Sequence, residues 1–479
     1  MKVNCFVERN PIVETIIQHL ADSPQTFKPK IAAADEMFLY QLNELEDRNF
    51  DRALVKYYSL GQTLFDSIQQ IVNHYFGGFD QIDSFLDFAC GYGRSTRFLV
   101  QKMPAEKVWV SDIYADAVKF QTDYFRVNGI ISTQQPEDYP SEQKFDCIYA
   151  GSFFSHIPPE TFKRWMHKLD HLLNPEGLLI FSVLDESILP ASTPMPSPGI
   201  LFSSETSESQ TLDRKDYGTT YVNMTYIQQL IDQISLNQAT IHRIEKGLGN
   251  YQDLYLITSK PHKNFTDFNF KYSPKGYLDE CNITDFGEIQ LSGWAMDYNR
   301  ESQIEAVQIV VNHQVIQSCQ VTDERPDLVE YFHTSKALNT GWQCVIDAGK
   351  IHPQDIIIIQ AINTVGKAGI IAVDSVKNLK LRTWWREEFF KTRNTLKQQE
   401  TQLHKAQSKL ELSEYTLQQA RDKLTQLEAE LGQCQFQLES NQFLLEQSQT
   451  EITAMKSSKF WKLRTQWLQL RERIRQLVE

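Results

Sequence analysis

Leu86 to Arg94 reads LDFACGYGR, and this stretch decides the fold. An apolar run ends in Asp87. The small residues Ala89, Gly91 and Gly93 then make a turn that leads into the amphipathic STRFLVQKM. Small side chains at such a turn let backbone N–H groups approach a ligand without Cβ obstruction. A second apolar run, VWVSDI, ends in Asp112 about 20 residues further on, where a carboxylate can accept both hydroxyls of a ribose.

The alternation continues outward from that pair. FLDFA precedes a helix from Ser95, VWVSDI precedes a helix from Ala115, FDCIYAG precedes a helix from Pro159 to Leu173, and GLLIFSV follows. Strand, helix, strand in this rhythm specifies a parallel sheet with crossover helices. Upstream, residues 1–50 have helical periodicity and form a lead-in, and Tyr57 to Phe76 spaces apolar residues as one helix before Gly77 and Gly78. Asp185 to Tyr221 breaks the rhythm: four prolines within nine residues and the run SSETSESQT predict a long loop.

With these residues in place, the segment from Tyr57 to Ser259 resembles a class I S-adenosylmethionine-dependent methyltransferase. The resemblance implies a Rossmann-like α/β domain over 51–262 and S-adenosyl-L-methionine as cofactor. By position, Asp87, Ala89, Gly91 and Gly93 would hold its methionine end, and Asp112 with Ile113 its ribose side. Ala89 stands where that family usually has glycine. An NAD-binding reading fails because G-x-G-x-x-G has no third glycine here; Thr96 occupies that position. FDCIYAGSFFSHIP resembles the family's fourth strand, whose end lies beside the reactive sulfonium. Ser152 would line the cofactor there. His156 is either the base that takes a proton from a hydroxyl nucleophile or a residue that packs the strand-to-helix turn. No acid suited to adenine appears after the third strand, where Ser132, Thr133 and Gln134 stand instead. GLGNYQDLYLITS is similar to the closing antiparallel strands, and Tyr57 to Gly61 to a segment that covers the cofactor's carboxylate.

Helical spacing gives way over 265–380 to alternating runs, IQLSGWAM, AVQIVVNHQVIQSCQV and DIIIIQAI, which predict an all-β sandwich. Around Gly293-Trp294-Ala295, Arg325-Pro326-Asp327 and Gly341-Trp342 it resembles a module appended to bacterial glycosyltransferases and polysaccharide enzymes. Trp294 and Trp342 serve either its core or a glycan. Residues 383–455 then carry a Leu heptad: Leu396, Leu403, Leu410, Leu417, Leu424, Leu431, Leu438 and Leu445, closed by Ile452. That predicts a long α-helical coiled coil and a homo-oligomer, with a solitary helix laid along a domain as the alternative. Residues 456–479 form a basic amphipathic helix with Phe460, Leu463, Trp467, Leu470, Ile474 and Leu477 on one side, which either lies on anionic lipid or finishes the coil.

Composition bounds the remaining choices. At roughly 100 to 200 residues per domain, a chain of 479 residues is multidomain. Lys plus Arg number 48 against 61 Asp plus Glu, a formal charge of -13 that repels a phosphate backbone, so nucleic acid is not an expected partner. The seven scattered cysteines include no C-x-x-C pair, which argues against a disulfide framework and a zinc site and for a reducing compartment. His167 and His171 share a helix face with Lys168 and Asp170 around them, a solvated setting with no third ligand, so metal is set aside. Glu8 and Glu14 interrupt the N-terminal apolar stretch, which excludes a signal peptide, and 18 apolar residues nowhere run together. The expectation is a cytoplasmic protein, at most peripheral to the inner membrane.

The expected activity is methylation of a sugar hydroxyl in surface polysaccharide or a lipid-linked glycan precursor. A non-catalytic scaffold for glycan assembly and a small-metabolite methyltransferase stand as the alternatives.

Overall fold

The computed structural model describes residues 5–6, 10–45, 49–190, 193–205, 212–235, 239–258, 265–285, 287–297, 302–352 and 354–476; side chains 5–6, 44–45, 382–391 and 393–394 are outside the description. Part of the run SSETSESQT, residues 206–211, lies outside it, as does Leu477. The chain divides into two units, 1–385 and 386–479.

The first unit begins with β1 (Cys5–Phe6), α1 (Pro11–Leu20), β2 (Ile31–Ala32) and α2 (Glu36–Tyr40). β1 pairs antiparallel with β2, so the lead-in is not helical throughout. Asn10 caps α1 and Asp35 caps α2, each accepting hydrogen bonds from two backbone N–H groups of the first turn. The long α3 (Phe50–Phe76) starts at the Asn49 cap and stops at Gly77, whose φ of 96° is the left-handed conformation that ends helices.

The alternating region supplies β3 (Phe85–Phe88), α4 (Thr96–Leu99), β4 (Val108–Asp112), α5 (Ala115–Phe125), β5 (Asn128–Ile131), β6 (Phe145–Ala150), α6 (Pro159–His171) and β7 (Leu173–Asp185). It continues with β8 (Ile200–Ser203), β9 (Thr219–Val222), α7 (Met224–Ser235), β10 (Thr240–Leu248) and β11 (Gln252–Thr258). The sheet runs β10-β11-β7-β6-β3-β4-β5. β3 to β7 are parallel, whereas β11 and β10 are antiparallel. This is a Rossmann-like methyltransferase fold. The chain moves from β3 outward to β5 and then crosses back to β6 on the other side of β3. A crevice therefore opens at the carboxyl ends of β3 and β6, the place where sheets of this kind bind ligands.

Strand alternation assigns the two faces. Phe85, Val108, Val110, Cys147, Leu178, Ile180, Leu254 and Leu256 pack under α3 and α5. Leu86, Phe88, Ile148, Leu179, Phe181 and Ile257 pack with Phe162, Trp165 and Leu169 of α6 and with Ile227 and Leu230 of α7. Both faces are covered, which is why these strands read as apolar runs.

Two expectations change here. The helix after the glycine turn keeps only one turn, because the N–H groups of Gln101 and Lys102 make i→i+3 bonds in place of the α pattern and Pro104 follows with no N–H to continue it. The 185–221 loop is partly strand: β9 adds parallel to Leu184 and Asp185, and β8 pairs antiparallel with β9.

Two four-stranded sheets follow. β12 (Lys275–Ile283), β13 (Glu288–Met296), β17 (Gly341–Asp347) and β16 (Val321–Asp323) form one in the order β12-β13-β17-β16. β15 (Gln314–Cys319), β14 (Ile304–Val311), β18 (Ile356–Asn363) and β19 (Ala368–Ser375) form the other, in the order β15-β14-β18-β19. α8 (Pro326–Phe332) interrupts them. Leu278, Ile289 and Leu291 of the first sheet meet Val307, Ile309, Ile357 and Ile359 of the second, and Trp342 fills this core. Trp294 instead packs edge-on against Phe332 outside it.

Val310, Ile358 and Val373, on the opposite face of the second sheet, join the core of α1 and α3. Burial on both faces explains the unbroken IIIIQAI of β18. Lys367 pairs with Asp66 of α3 at 2.6 Å, and His19 Nε2 lies 2.7 Å from Gln360 Oε1 across the same junction.

The cysteine spacing misleads for one pair. Cys319 and Cys344 are joined in a disulfide, Cα atoms 5.8 Å apart. They are 25 residues apart in sequence, and only the stacking of β15 near β17 brings them together. The cysteine pattern therefore no longer argues for a reducing compartment.

α9 (Val376–Ser457) leaves the second sheet and carries the heptad leucines through the second unit as a single continuous helix, and α10 (Lys459–Gln476) follows. No helix among the described residues is long and apolar enough to cross a membrane.

Candidate active site

The site grows from the turn after β3. Ala89, Gly91 and Gly93 all have positive φ, at 55°, 53° and 80°. A left-handed Ala costs roughly 1 to 2 kcal/mol that glycine does not, so Ala89 stores strain at this turn. The two glycines are required for different reasons. A Cβ on Gly93 would lie 2.6 Å from the ring of Phe125 and 2.8 Å from Gln121 Oε1, so this glycine is a packing residue. A Cβ on Gly91 would meet no atom within 4 Å: it points into open space.

That opening is framed by acids. Gly91 N–H donates to Asp112 Oδ2 at 2.8 Å, and Tyr114 N–H donates to Asp112 Oδ1 at 3.0 Å. The acid at the end of β4 thus faces the turn. With the Ile113 N–H as a third donor, the carboxylate still keeps acceptor capacity for a hydroxyl. Burial pushes the Asp112 carboxyl up and those backbone N–H groups pull it back. Ile113, beside it, is 37% exposed.

Asp87 lies beneath the turn, buried, its Oδ2 accepting from Thr96 Oγ1 at 2.8 Å. Burial raises its carboxyl to about 7, against the Thr96 hydrogen bond that lowers it. Ser152, at the end of β6, takes positive φ and donates its N–H to Ser182 Oγ at 2.7 Å. Gln252 of β11 closes this network, its Oε1 accepting from Ser182 Oγ at 2.6 Å and its Nε2 donating to Ser152 Oγ at 3.0 Å. Asp87, Ala89, Gly91, Gly93, Asp112, Ile113 and Ser152 therefore converge at the carboxyl ends of β3, β4 and β6.

His156 sits in the loop between β6 and α6, against the segment that leads into β9. It is buried; its Nδ1 lies 2.9 Å from Gly218 O, and its ring stacks on Tyr217 at 4.7 Å. The carbonyl can only accept, so the neutral ring carries its hydrogen on Nδ1 and its lone pair on Nε2, an assignment made from the hydrogen bond. Tyr217 and Gly218 fall in the stretch read as a long loop, and only the fold brings them to the histidine.

Sequence reasoning also missed the support of the turn. Arg97, fully buried, donates through Nε to Gly93 O at 3.1 Å and through Nη1 to the carbonyls of Lys28 and Lys30 at 3.3 and 3.4 Å. Its Nη2 reaches Tyr57 Oη at 3.3 Å, and Tyr57 donates to Asp35 at 2.6 Å. Burial and the facing Asp35 carboxylate push the Tyr57 phenol well above its ordinary range. A buried cation needs partners, and this chain of contacts clamps the N-terminal segment to the turn. On α3, Gly61 lets the helix approach closely: a Cβ there would lie 2.7 Å from Arg94 O. Burial, and after it the nearby Asp112 carboxylate, raise the Glu36 carboxyl of α2. The one local clue was the Asp-Glu sequence at 35–36, an N-cap signal.

His171 lies 3.6 Å from Glu142 and Lys168 pairs with the same carboxylate, so this helix face carries ion pairs. Among the described residues no group of three or more His, Cys, Asp or Glu is placed to hold a metal.

Residues 85–177 match the family described as "Methyltransferase domain". The chain carries a methyltransferase domain. The matched segment runs from β3, through the turn and the end of β6, into β7. A malonyl-[acyl-carrier protein] O-methyltransferase from Calditerrivibrio nitroreducens is 26% identical over 109 residues, 23% of this chain and 41% of that protein. A trans-aconitate 2-methyltransferase from Escherichia coli O157:H7 is 30% identical over 115 residues, again 23% of this chain and 43% of the relative. The chain thus spans less than half the length of these curated relatives. A solved S-adenosylmethionine-dependent methyltransferase from Clostridium acetobutylicum superposes with a TM-score of 0.32 at 16% identity, over 46% of this chain and 97% of that one.

Proposed function

We propose that the protein is an S-adenosylmethionine-dependent O-methyltransferase acting on a sugar hydroxyl of surface polysaccharide or a lipid-linked glycan precursor. The observation that carries the transferase reading is the open space over Gly91, bordered by a carboxylate that retains acceptor capacity. The residues fit the cofactor: the Gly91 backbone can be approached closely, Asp112 accepts a ribose hydroxyl, Ile113 borders it, and Asp87 with Ser152 shapes the methionine end. When bound, the cofactor supplies a methyl group on positively charged sulfur, an electrophile that needs no further activation.

The protein's part is placement and proton transfer. Ser152, fixed by Ser182 and Gln252, keeps the end of β6 rigid beside the reacting atoms. The segment of β8, β9 and residues 212–218 covers His156. There the acceptor hydroxyl gives up its proton to Nε2 while Gly218 O holds Nδ1–H. The glycan acceptor rests on the likeness of the two-sheet module to those of bacterial glycan enzymes. It rests also on α10, exposed throughout with Trp461 and Trp467 among basic residues, which we assign to an anionic membrane surface on the cytoplasmic side. A small carboxylic-acid acceptor is the second reading, favoured by the names of both curated relatives.

Calorimetry with S-adenosylhomocysteine tests the first layer: wild type binds, and Asp112→Ala binds at least tenfold more weakly. No binding by wild type overturns the enzymatic reading. His156→Gln is expected to bind normally and to lose methyl transfer. Mass spectrometry of surface glycan from a strain lacking the protein tests the acceptor: a methyl group missing from one sugar supports it, and an unchanged glycan refutes it.

A further inference from the structure

The strongest unexplained surface lies on α9. Its heptad residues from Leu396 to Ile452 are each between 50% and 60% exposed, and the side chains around them are exposed too. At 1.5 Å per residue this apolar ridge extends about 84 Å. A single helix that leaves such a ridge in water lacks the packing from which protein helices draw most of their stability.

With the leucines at the a positions of a heptad, the d positions are Gln399, Ala406, Ser413, Ala420, Leu427, Cys434, Asn441, Ser448 and Met455. The reverse assignment, leucine at d, would put Glu400, Gln407, Glu414, Arg421 and Glu428 in the seam, which excludes it. The flanking e and g residues are complementary between two copies. In a parallel, in-register pair each g residue faces the e residue five positions on in the other helix. Lys409 faces Glu414 and Lys423 faces Glu428. The remaining described pairs, Gln402 with Gln407, Thr416 with Arg421, Glu430 with Gln435, Gln437 with Gln442 and Leu444 with Gln449, contain no like charges. In an antiparallel pair centred on this segment Asn441 would face Leu410, whereas the parallel pair sets Asn441 against its own copy, where the two amides can bond.

We infer that a second copy of this chain covers the ridge, as a parallel, in-register two-stranded coiled coil over residues 396–455. Small residues at Ala406, Ser413 and Ala420 let the helices approach, and Asn441 fixes the register. Cys434, exposed on the single helix and at a d position, then faces Cys434 of the second copy across the seam.

Sedimentation of the full chain tests the stoichiometry. A mass of twice 55.6 kDa is expected. A single-chain mass at micromolar concentration, or a mass of three or more chains, overturns the proposal. Leu417→Glu with Leu424→Glu should return the mass to one chain while cofactor-site residues are untouched. Mild oxidation should then link wild-type dimers through a reducible bond that Cys434→Ser abolishes; a dimer that Cys434 cannot link refutes the parallel register. The charge pairs give an independent reading. Lys409→Glu with Lys423→Glu should weaken self-association about tenfold, and mixing with the Glu414→Lys, Glu428→Lys chain should restore it as a heterodimer. Failure of the mixture to associate better than either variant alone overturns the in-register pairing.

Discussion

Gly91 and Gly93 stand two residues apart in one turn, and substituting each with alanine should give opposite phenotypes. Both have positive φ, so either alanine carries about 1 to 2 kcal/mol of backbone strain. At Gly91 that is the whole cost to the fold, because the new methyl meets no atom within 4 Å. The melting temperature should fall by only a few degrees, at about 2 to 4 °C per kcal/mol or less for a unit of this size. The methyl does occupy the space through which a ligand approaches the backbone, so S-adenosylhomocysteine affinity should drop at least tenfold, about 1.4 kcal/mol.

At Gly93 the same methyl would lie 2.6 Å from Phe125 and 2.8 Å from Gln121, two side chains with buried bodies that cannot step aside. Overpacking of this kind adds about 1 to 3 kcal/mol to the strain. Gly93→Ala should therefore lose clearly more stability than Gly91→Ala. Thermal unfolding monitored by circular dichroism, with calorimetric titration of both variants, reads the two quantities separately. Gly91→Ala binding with wild-type affinity would refute the assignment of that space to the cofactor. Equal stability losses would refute the division of roles.

Ala89→Gly should stabilise the protein by up to about 1 kcal/mol, the relieved left-handed strain exceeding the added chain entropy, and a lower melting temperature would contradict the φ of 55°. Asp87 carries a carboxyl raised to about 7 from an ordinary 3.8, so the folded state holds a proton that the unfolded chain has lost between those values. Its contribution to stability is complete below about pH 4 and is lost as the pH rises through about 7; Asp87→Asn should flatten that part of the curve of denaturation midpoint against pH, and an unchanged slope would argue against it. Arg97→Met removes a buried cation with partners on three segments and should cost several kcal/mol in urea unfolding, with the N-terminal 28–35 segment becoming protease-sensitive. Cutting the Cys319–Cys344 link by Cys344→Ser opens a loop of 25 residues and should lower stability by about 3 kcal/mol while leaving S-adenosylhomocysteine binding intact.

The alternation of parallel strands with crossover helices, the glycine turn and the acid at the end of β4 were legible because each depends on neighbours in sequence. An apolar run, a small-residue turn and an acid about 20 residues later follow from local geometry alone. The leucine period of α9 was legible for the same reason, since a helix repeats its own face. What the tertiary structure decided is the long-range part. Arg97 reads as one charged residue of an amphipathic turn, yet it is buried because the carbonyls at 28 and 30 and the Tyr57 hydroxyl arrive from elements far away in the chain. His156 gains its fixed tautomer only when residues 217–220 return over it, and no residue within four positions foretells that. Cys319 and Cys344 become partners through the stacking of two sheets. The second sheet likewise hides its outer face under α1, which turns IIIIQAI from one alternating strand into a strand buried on both sides. Periodicity records which face of an element is covered; it does not record what covers it, because that choice is made by surfaces that meet only after the chain has collapsed.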